Sequence, residues 1–385
     1  MKRTLVMLLL SWLLSGCSGI PLVSDGDNTD PPAELEQLGG DIQLKQLWSR
    51  DVGVGFDKQF VRLVPNVHGE RLLVADRKGR VTALSAESGK PLWKVDTDAQ
   101  ISAGPGAGEG LVVVATSDGE VLALGLDDGA PVWRAQVSSE VLAVPQIDLG
   151  VVVVQTADGK VVGLGVRDGE QLWIYDRTVP VLTLRGTSTP AVERGVVIAG
   201  FASGKVAALS TERGFVAWET NVTVPKGRSE LERMVDIDSD PVIEGASVYV
   251  TTFQGRLAVI DVQSGDPGWS RDMSSFAGLS VDFSQVYVTD EHSNVWALAR
   301  DSGASVWKQD KLLNRALTGP EAYNDYVAVG DFEGYLHLLS RYDGHIAARS
   351  RVDSKGIRAT PLAVGDVLYV YGNSGTLAAY TLSGR

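Results

Sequence analysis

The chain has 385 residues, of which 44% are hydrophobic and 22% charged, and 43 are glycine. This composition excludes an intrinsically disordered or collagen-like chain, and the many glycines favour tight turns. The 48 acidic and 35 basic side chains give a formal net charge of −13, which argues against nucleic acid and anionic lipid headgroups as ligands. Because Cys17 is the only cysteine, disulfide scaffolds and cysteine-based zinc sites are excluded as well.

The first 16 residues have the pattern of a secretory signal peptide. Lys2 and Arg3 are followed by an almost continuous apolar run over residues 5–14. A helix of that length, about 15 Å, cannot cross a hydrocarbon core of about 30 Å. The sequence Leu-Ser-Gly-Cys17 resembles the bacterial lipobox, in which the cysteine is acylated and becomes the new N-terminus. A plain cleavage site with an incidental cysteine is the alternative, and the position of the only cysteine argues against it.

The residues after Cys17 predict where the protein is held. Ser18 is not the aspartate associated with inner-membrane retention of such lipoproteins, so we expect a lipid-anchored protein of the outer membrane that faces the periplasm. Residues 18–40 contain three prolines, five acidic residues and no lysine or arginine, which is typical of a flexible tether. We therefore predict a signal peptide at 1–16, a lipidated N-terminus and acidic tether at 17–40, and a folded domain at 41–385.

The folded domain contains a repeat with fixed internal spacing. In most units a proline is followed after 14 positions by a turn glycine, after 10 more by a second glycine, and after 4 more by a tryptophan, as in Pro105, Gly119, Gly129 and Trp133. The exceptions are Leu279 for a proline, Ser293 for a glycine and Ala348 for a tryptophan. Between these markers lie alternating or continuously apolar segments with turn residues at their ends, which indicates four strands per unit. A period of about 40 residues with four strands predicts a β-propeller.

The number of units and the position of the first tryptophan strand predict how the ring closes. The chain holds eight turn motifs, but only seven tryptophan-type strands follow them. The eighth such strand, residues 44–50 with Trp48, precedes the first complete unit. We therefore predict an all-β, eight-bladed propeller of four-stranded antiparallel blades, in which this N-terminal strand pairs with residues 376–382 of the last blade.

The repeat resembles the quinoprotein type. The segment ALSAESGKPLW, residues 83–93, shows the alanine-leucine pair, the turn glycine and the docking tryptophan of that repeat. The resemblance, which covers residues 44–382, implies an alternative function as an alcohol or sugar dehydrogenase that holds pyrroloquinoline quinone and calcium over the central axis. Such enzymes are generally longer, and many clamp the quinone with adjacent cysteines, whereas no cysteine follows Cys17.

No other pattern in the sequence indicates catalysis or metal binding. The four histidines are scattered without the spacing of metal ligands on a helix. Asp236, Asp238 and Asp240 imitate the start of a calcium loop, but Pro241 replaces its glycine and Ser247 its final glutamate. We therefore predict no catalytic residue, no metal and no cofactor, and interpret the chain as a non-catalytic scaffold.

Two long links between units mark the expected binding surface. From tryptophan to the next proline the links span 12, 12, 17, 23, 10 and 13 positions, and the two longest follow Trp173 and Trp218 consecutively. Insertions of this kind collect on one face of a repeat protein and often form its binding surface. Apolar and charged residues alternate in both links, a mixture that suits a protein interface.

The combination of features resembles the B lipoprotein family of the β-barrel assembly machinery of Gram-negative outer membranes. The lipobox, the eight-bladed quinoprotein-type ring and the paired motifs Leu-x-Leu-Arg-Gly and Asp-x-Asp-x-x-Pro carry the resemblance. It implies that the two links bind a periplasmic POTRA domain of the central barrel subunit, and that the chain assists insertion of outer-membrane proteins. Nascent outer-membrane proteins are a further candidate partner. The partner-binding residues implied are Leu182, Leu184, Arg185, Asp236 and Asp238.

Three alternatives stay open on sequence alone. Arg185 could pair internally with Asp236 or Asp238 and hold the links together instead of contacting a partner. The ring could be a quinone-dependent dehydrogenase, or it could bind periplasmic polysaccharide. Arg358 and Glu230 are expected as supporting residues of the binding surface.

Overall fold

In the computed structural model, residues 30–39 and 42–383 are described, so the predicted signal peptide and Cys17 lie outside the described part of the chain. The described residues form eight antiparallel blades of four strands each and contain no α-helix. They accordingly include no helix that could cross a membrane. Blade 2 carries one additional short strand on its inner side. The predicted eight-bladed, all-β propeller is confirmed.

The strands are numbered here in chain order. Before blade 1 come β1 (Gln43–Asp51) and β2 (Arg62–Leu63). Blades 1 to 3 contain β3 (Asn66–His68), β4 (Arg71–Ala75), β5 (Arg80–Ser85), β6 (Pro91–Asp96), β7 (Ile101–Gly108), β8 (Leu111–Thr116), β9 (Glu120–Gly125), β10 (Pro131–Gln136), β11 (Gln146–Asp148), β12 (Val151–Gln155), β13 (Lys160–Gly165) and β14 (Gln171–Asp176). Blades 4 to 6 contain β15 (Ala191–Glu193), β16 (Val196–Gly200), β17 (Lys205–Ser210), β18 (Val216–Asn221), β19 (Val242–Glu244), β20 (Ser247–Thr251), β21 (Arg256–Asp261), β22 (Pro267–Asp272), β23 (Leu279–Val281), β24 (Gln285–Thr289), β25 (Val295–Ala299) and β26 (Ser305–Gln309). Blade 7 contains β27 (Glu321–Tyr323), β28 (Tyr326–Gly330), β29 (Tyr335–Ser340) and β30 (Ile346–Arg351), and blade 8 contains β31 (Leu362–Val364), β32 (Val367–Tyr371) and β33 (Thr376–Ser383) together with β1.

The tryptophans lock neighbouring blades together, as predicted. The ring of Trp133 in blade 2 packs on Gly169 of blade 3, where a Cβ atom would lie 2.6 Å from the ring. The indole nitrogen of Trp133 donates to the carbonyl oxygen of Val166 at 2.8 Å. The same indole-to-carbonyl bond, at 2.8–3.0 Å, is made by Trp48, Trp93, Trp173, Trp218, Trp269 and Trp307. The fixed spacing of glycine and tryptophan therefore reflects contact between blades.

Closure of the ring explains why blade 7 has no tryptophan. β1 pairs antiparallel with β33 from Gln43–Ser383 to Asp51–Thr376, which confirms the predicted closure. Each tryptophan packs on a glycine in the turn between the two outer strands of the next blade. In blade 8 these two strands, β33 and β1, come from opposite ends of the chain and have no turn between them, so a tryptophan in blade 7 would have no such glycine to contact. At the tryptophan position blade 7 has Ala348, which packs in a cluster with Leu44 and Leu382 from the two ends of the chain.

Part of the segment that we expected as a tether contacts blade 7. The Ala33 amide donates to Leu313 and its carbonyl accepts from Arg315, both at 2.9 Å. Leu35 packs against the apolar cluster that contains Leu312, and the carbonyl oxygen of Glu36 accepts from Arg349 at 3.0 Å. From Pro32 onwards the chain belongs to one compact unit. Residues 33–36 are called the docked segment below.

Candidate functional site

The two long links lie on the same face of the ring. The outermost strand of each blade ends on the face of the ring where the innermost strand of the following blade starts. All links between blades therefore lie on this face, which we call the link face. The first long link joins β14 to β15 over residues 177–190, and the second joins β18 to β19 over residues 222–241. Both lack regular strand structure. The sequence prediction that these links lie side by side is confirmed by their contacts.

Backbone amides of the first link bind carboxylates of the second. The Leu184 amide donates to the Asp236 carboxylate, and the Thr189 amide donates to the Asp240 carboxylate at 2.6 Å. Between these two bonds, Gly186 approaches Asp238 so closely that a Cβ atom would lie 3.0 Å from the carboxylate. Since alternate residues of an extended chain point the same way, positions 236, 238 and 240 present three carboxylates to the neighbouring link.

The predicted site residues differ in how far solvent reaches them. Leu182 is 41% exposed, and the side chain of Arg185 is 59% exposed. Leu184 and Asp238 are half-buried. Asp236 is only 1% exposed, and its Oδ1 atom has no hydrogen-bond partner among the described residues. Leu182 and Arg185 are therefore accessible on the link face, whereas Asp236 lies beneath it.

Arg185 does not form the internal clamp that we considered from the sequence. Its guanidinium pairs with Glu140, on the link between blades 2 and 3, at 2.8 Å. Asp236 is occupied by the Leu184 amide instead. The two long links are held together by carboxylate-to-backbone bonds, so the exposed Arg185 side chain is not needed to join them.

Burial changes the acidity of the two aspartates. Burial raises the pKa of Asp236 to about 7, although the hydrogen bond from the Leu184 amide opposes the increase. Burial also raises the pKa of Asp238 to about 6, and the nearby positive charge of Arg62 opposes that increase. A carboxylate removed from water is costly unless it is well paired, which explains both directions. Near neutral pH a large fraction of Asp236 is therefore protonated.

A third link reaches the same site from across the ring. β2 pairs in parallel with β7 on the inner side of blade 2, so it lies within the ring of innermost strands. From β2, the Arg62 guanidinium contacts the Asp240 carboxylate at 2.6 Å and donates to the Asp238 carbonyl oxygen at 3.2 Å. Arg62 lies against blade 2 and Asp240 precedes blade 5, three blades further around a ring of eight. The ion pair therefore crosses the channel.

Sequence reasoning missed both Arg62 and Glu140 at this site. The sequence did contain a signal for the link that carries Arg62. The distance from Trp48 to Pro65 is 17 positions, the same as from Trp173 to Pro190 in the first long link. Glu140 lies on a link of ordinary length, so no signal in the sequence indicated it.

The two residues expected to support the site lie apart from these contacts. Arg358 stacks over the Phe60 ring at 4.2 Å and donates to the Gln59 carbonyl oxygen at 3.1 Å. Glu230 forms an exposed pair with Arg233 at 3.9 Å. Neither residue bonds to the three aspartates in the described structure.

The axial position does not fit a quinone cofactor. The space that the quinoprotein resemblance assigns to quinone and calcium is crossed by β2 and by the pair of Arg62 with Asp240. Within residues 30–39 and 42–383 no group of three or more histidine, cysteine, aspartate or glutamate side chains is placed to hold a metal ion. The arrangement instead offers a rigid protein surface with exposed apolar and cationic side chains.

Comparisons with known proteins point to one family. A family model described as outer membrane protein assembly factor BamB matches residues 44–124 and 77–309. The outer membrane protein assembly factor BamB of Pseudomonas aeruginosa is 47% identical over 376 residues, which is 98% of each chain. The protein of the same name from Marinobacter adhaerens is 51% identical over 369 residues, covering 95% of this chain and 93% of that one.

Solved structures agree with the fold. The crystal structure of BamB from Moraxella catarrhalis aligns with a TM-score of 0.80 at 26% identity and covers 88% of this chain and 99% of that one. A quinohemoprotein alcohol dehydrogenase from Pseudomonas putida aligns with a TM-score of 0.72 at 14% identity, covering 90% of this chain and 77% of that one. At that identity the second likeness concerns the fold alone.

Proposed function

This chain belongs to the family of the outer membrane protein assembly factor BamB, and from that membership we propose that it is a scaffold lipoprotein of the outer-membrane β-barrel assembly complex. It is an assembly factor and not an enzyme. The family name also associates it with the outer membrane.

The proposed partner is a periplasmic POTRA domain of the central barrel subunit, bound by the two long links. The observation that carries this proposal is the pair of links fastened to each other on one face, with Leu182 and Arg185 exposed above them. Arginine is among the residues enriched at interface hot spots, and the exposed Leu182 adds apolar area beside it. Because carboxylates already fix the backbone beneath these side chains, binding would cost little conformational entropy in the links.

The five predicted residues divide into two roles in this proposal. Leu182 and Arg185 contact the partner directly, the first as an apolar anchor and the second as a donor to a carboxylate or carbonyl oxygen. Leu184, Asp236 and Asp238 hold the shape of the surface from below, because they are buried or half-buried and contact the neighbouring link. Nascent outer-membrane proteins are a second proposed class of partner, bound while the complex inserts them.

The proposed anchor is a lipid on Cys17, which would hold the ring at the periplasmic side of the outer membrane without entering it. The lipobox and the Ser18 that follows it support this part of the proposal, and both lie outside the described residues. Unchanged acyl labelling of a Cys17→Ser variant would contradict it.

The partner surface can be tested by measuring the affinity of the ring for the purified POTRA domains by calorimetry. We expect the combined variant Leu182→Ala, Arg185→Ala to bind at least thirtyfold more weakly, since a hot spot contributes about 2 kcal/mol or more. Its melting temperature should hardly change, because both side chains are exposed. Arg194→Ala is the matched control, since Arg194 is an exposed, ion-paired arginine on the opposite face. A folded double variant with full affinity would place the interface elsewhere.

A further inference from the structure

Asp240 is the point at which three separate links of the ring meet. Its Oδ1 atom accepts from the Thr189 amide in the first long link at 2.6 Å. Its Oδ2 atom accepts from the Arg62 guanidinium, which comes from β2 on the inner side of blade 2, also at 2.6 Å. A carboxylate with a donor on each oxygen has a fixed orientation. The backbone at Asp240 is therefore fixed by groups from both sides.

Arg62 itself stands on a well-defined part of the backbone. In the parallel pairing of β2 with β7, Arg62 lies opposite Ala103 and Leu63 opposite Gly104. The Val64 amide extends this pairing with a bond to the Gly104 carbonyl oxygen at 3.2 Å. Leu63 is completely buried. The arginine therefore projects from a strand that is held in place by blade 2, and it can act as a rigid support.

The second long link is joined to blades 4 and 5 by the bonds of Ile237 with Phe201 and of Ser239 with Thr251, and Arg62 adds two bonds near its end. Of its residues 222–241, none belongs to a strand. The guanidinium of Arg62 bonds this link twice, at the Asp240 carboxylate and at the Asp238 carbonyl oxygen, 3.2 Å away. A planar guanidinium can form both bonds at once, whereas a lysine ammonium group on the same stem lacks this fork geometry.

We propose that Arg62 is a positioning residue for the partner surface: it fixes Asp238 and Asp240 from across the channel and thereby holds both long links in the conformation that binds. The proposal rests on the partner surface described under the proposed function. It assigns to the link before blade 1, which does not carry the predicted contact residues, the role of ordering a surface formed by the links before blades 4 and 5.

The first measurement uses the ring alone. Amide hydrogen exchange is compared between wild type and Arg62→Met, which keeps the length of the side chain but removes the charge and the donors. We expect faster exchange at the Thr189 amide, which bonds Asp240, and at the Phe253 amide, which bonds the Asp236 carbonyl oxygen. Arg80→Met is the matched control, because Arg80 forms a similarly exposed ion pair with Asp96 in blade 1, outside the two long links. Exchange at wild-type rates in Arg62→Met would overturn the proposal.

The second measurement is the affinity of the same variants for the POTRA domains. We expect a loss of about tenfold for Arg62→Met, which corresponds to about 1.4 kcal/mol, and a smaller loss for Arg62→Lys. In an Asp240→Asn background, Arg62→Met should cost less than it does in wild type, because the ion pair is already gone. If Arg62 only stabilised the fold, Arg62→Met would lower the melting temperature, but its effect on affinity would not depend on Asp240. Equal losses in both backgrounds would contradict the proposal.

The two measurements separate this inference from the proposed function. If Leu182→Ala weakens binding but Arg62→Met changes neither exchange nor affinity, the partner surface stands and the positioning role is wrong. If Arg62→Met accelerates exchange while neither variant changes affinity, the surface itself is elsewhere and the positioning role is wrong as well. If Arg62→Met does not fold, Arg62→Lys and Asp240→Asn provide the same comparison with smaller changes.

Discussion

At the scale of single residues, the three alternating aspartates have different roles from those suggested by their charge. Asp236 and Asp238 were expected to contact a partner, but Asp236 accepts a hydrogen bond from a backbone amide of the neighbouring link, as does Asp240, for which no partner contact was expected. The burial that makes these bonds possible also raises the pKa of Asp236 to about 7. A residue of this kind contributes to binding by shaping the surface, and its protonation state should affect stability.

Replacement of Asp236 by asparagine tests this role through its dependence on pH. Since the pKa of Asp236 is raised from about 4 in the unfolded chain to about 7, its stabilising contribution is complete below about pH 4 and is lost as the pH rises to about 7. Asparagine keeps a carbonyl acceptor for the Leu184 amide and does not ionise. We therefore expect the stability of Asp236→Asn relative to wild type to increase by about 1 to 3 kcal/mol between pH 4.5 and pH 7.5.

Chemical denaturation of both proteins at the two pH values measures this difference. Asp127→Asn controls for the loss of one negative charge, because Asp127 is exposed on the opposite face. A stability difference that stays constant with pH, or that moves in favour of wild type as the pH rises, would show that folding does not raise the pKa of Asp236.

At the scale of elements, the N-terminal part of the folded chain does two things. β1 completes blade 8 through eight paired residues, with Trp48 7% exposed against blade 1. Before it, the docked segment lies against blade 7 through Ala33, Leu35 and Glu36. The composition of residues 18–40 suggested a tether throughout, since two half-buried leucines, Leu35 and Leu38, among acidic and proline residues give no periodic signal.

A series of N-terminal truncations separates these two contributions to stability. A chain that starts at residue 32 keeps the docked segment and should unfold like the longer protein. Starting at residue 42 should lower the free energy of unfolding by about 1 to 2 kcal/mol, because two half-buried leucines and a few polar contacts at the surface are lost. Starting at residue 52 removes β1 and should cost more than the 3 to 5 kcal/mol typical of losing one buried tryptophan.

Denaturant midpoints of the three chains give the order directly. We expect the chain from residue 52 to be far less stable than the chain from residue 42, because β33 is left with an open edge. Equal midpoints for these two chains would mean that β1 does not close the ring in solution.

At the scale of the whole molecule, the sequence predicted what repeats and missed what does not. The spacing of Pro105, Gly119, Gly129 and Trp133 recurs around the ring, so blade number, strand order and closure followed from it. The contact of Arg62 with Asp240 joins residues 178 positions apart and occurs once, so no periodicity could indicate it. Side-chain partners in irregular links depend on the path of each backbone, which explains why Arg185 pairs with Glu140 and not with an aspartate.

The central claim is that the link face, at the two long links, is the surface that contacts the central barrel subunit. Site-specific photo-crosslinking in cells tests it most directly, with a photoreactive amino acid at position 182 and, as a control, at the exposed Leu149 on the opposite face. We expect a crosslink from position 182 to a POTRA domain of the central barrel subunit and none from position 149. A crosslink to that subunit from position 149 but not from position 182 would contradict it.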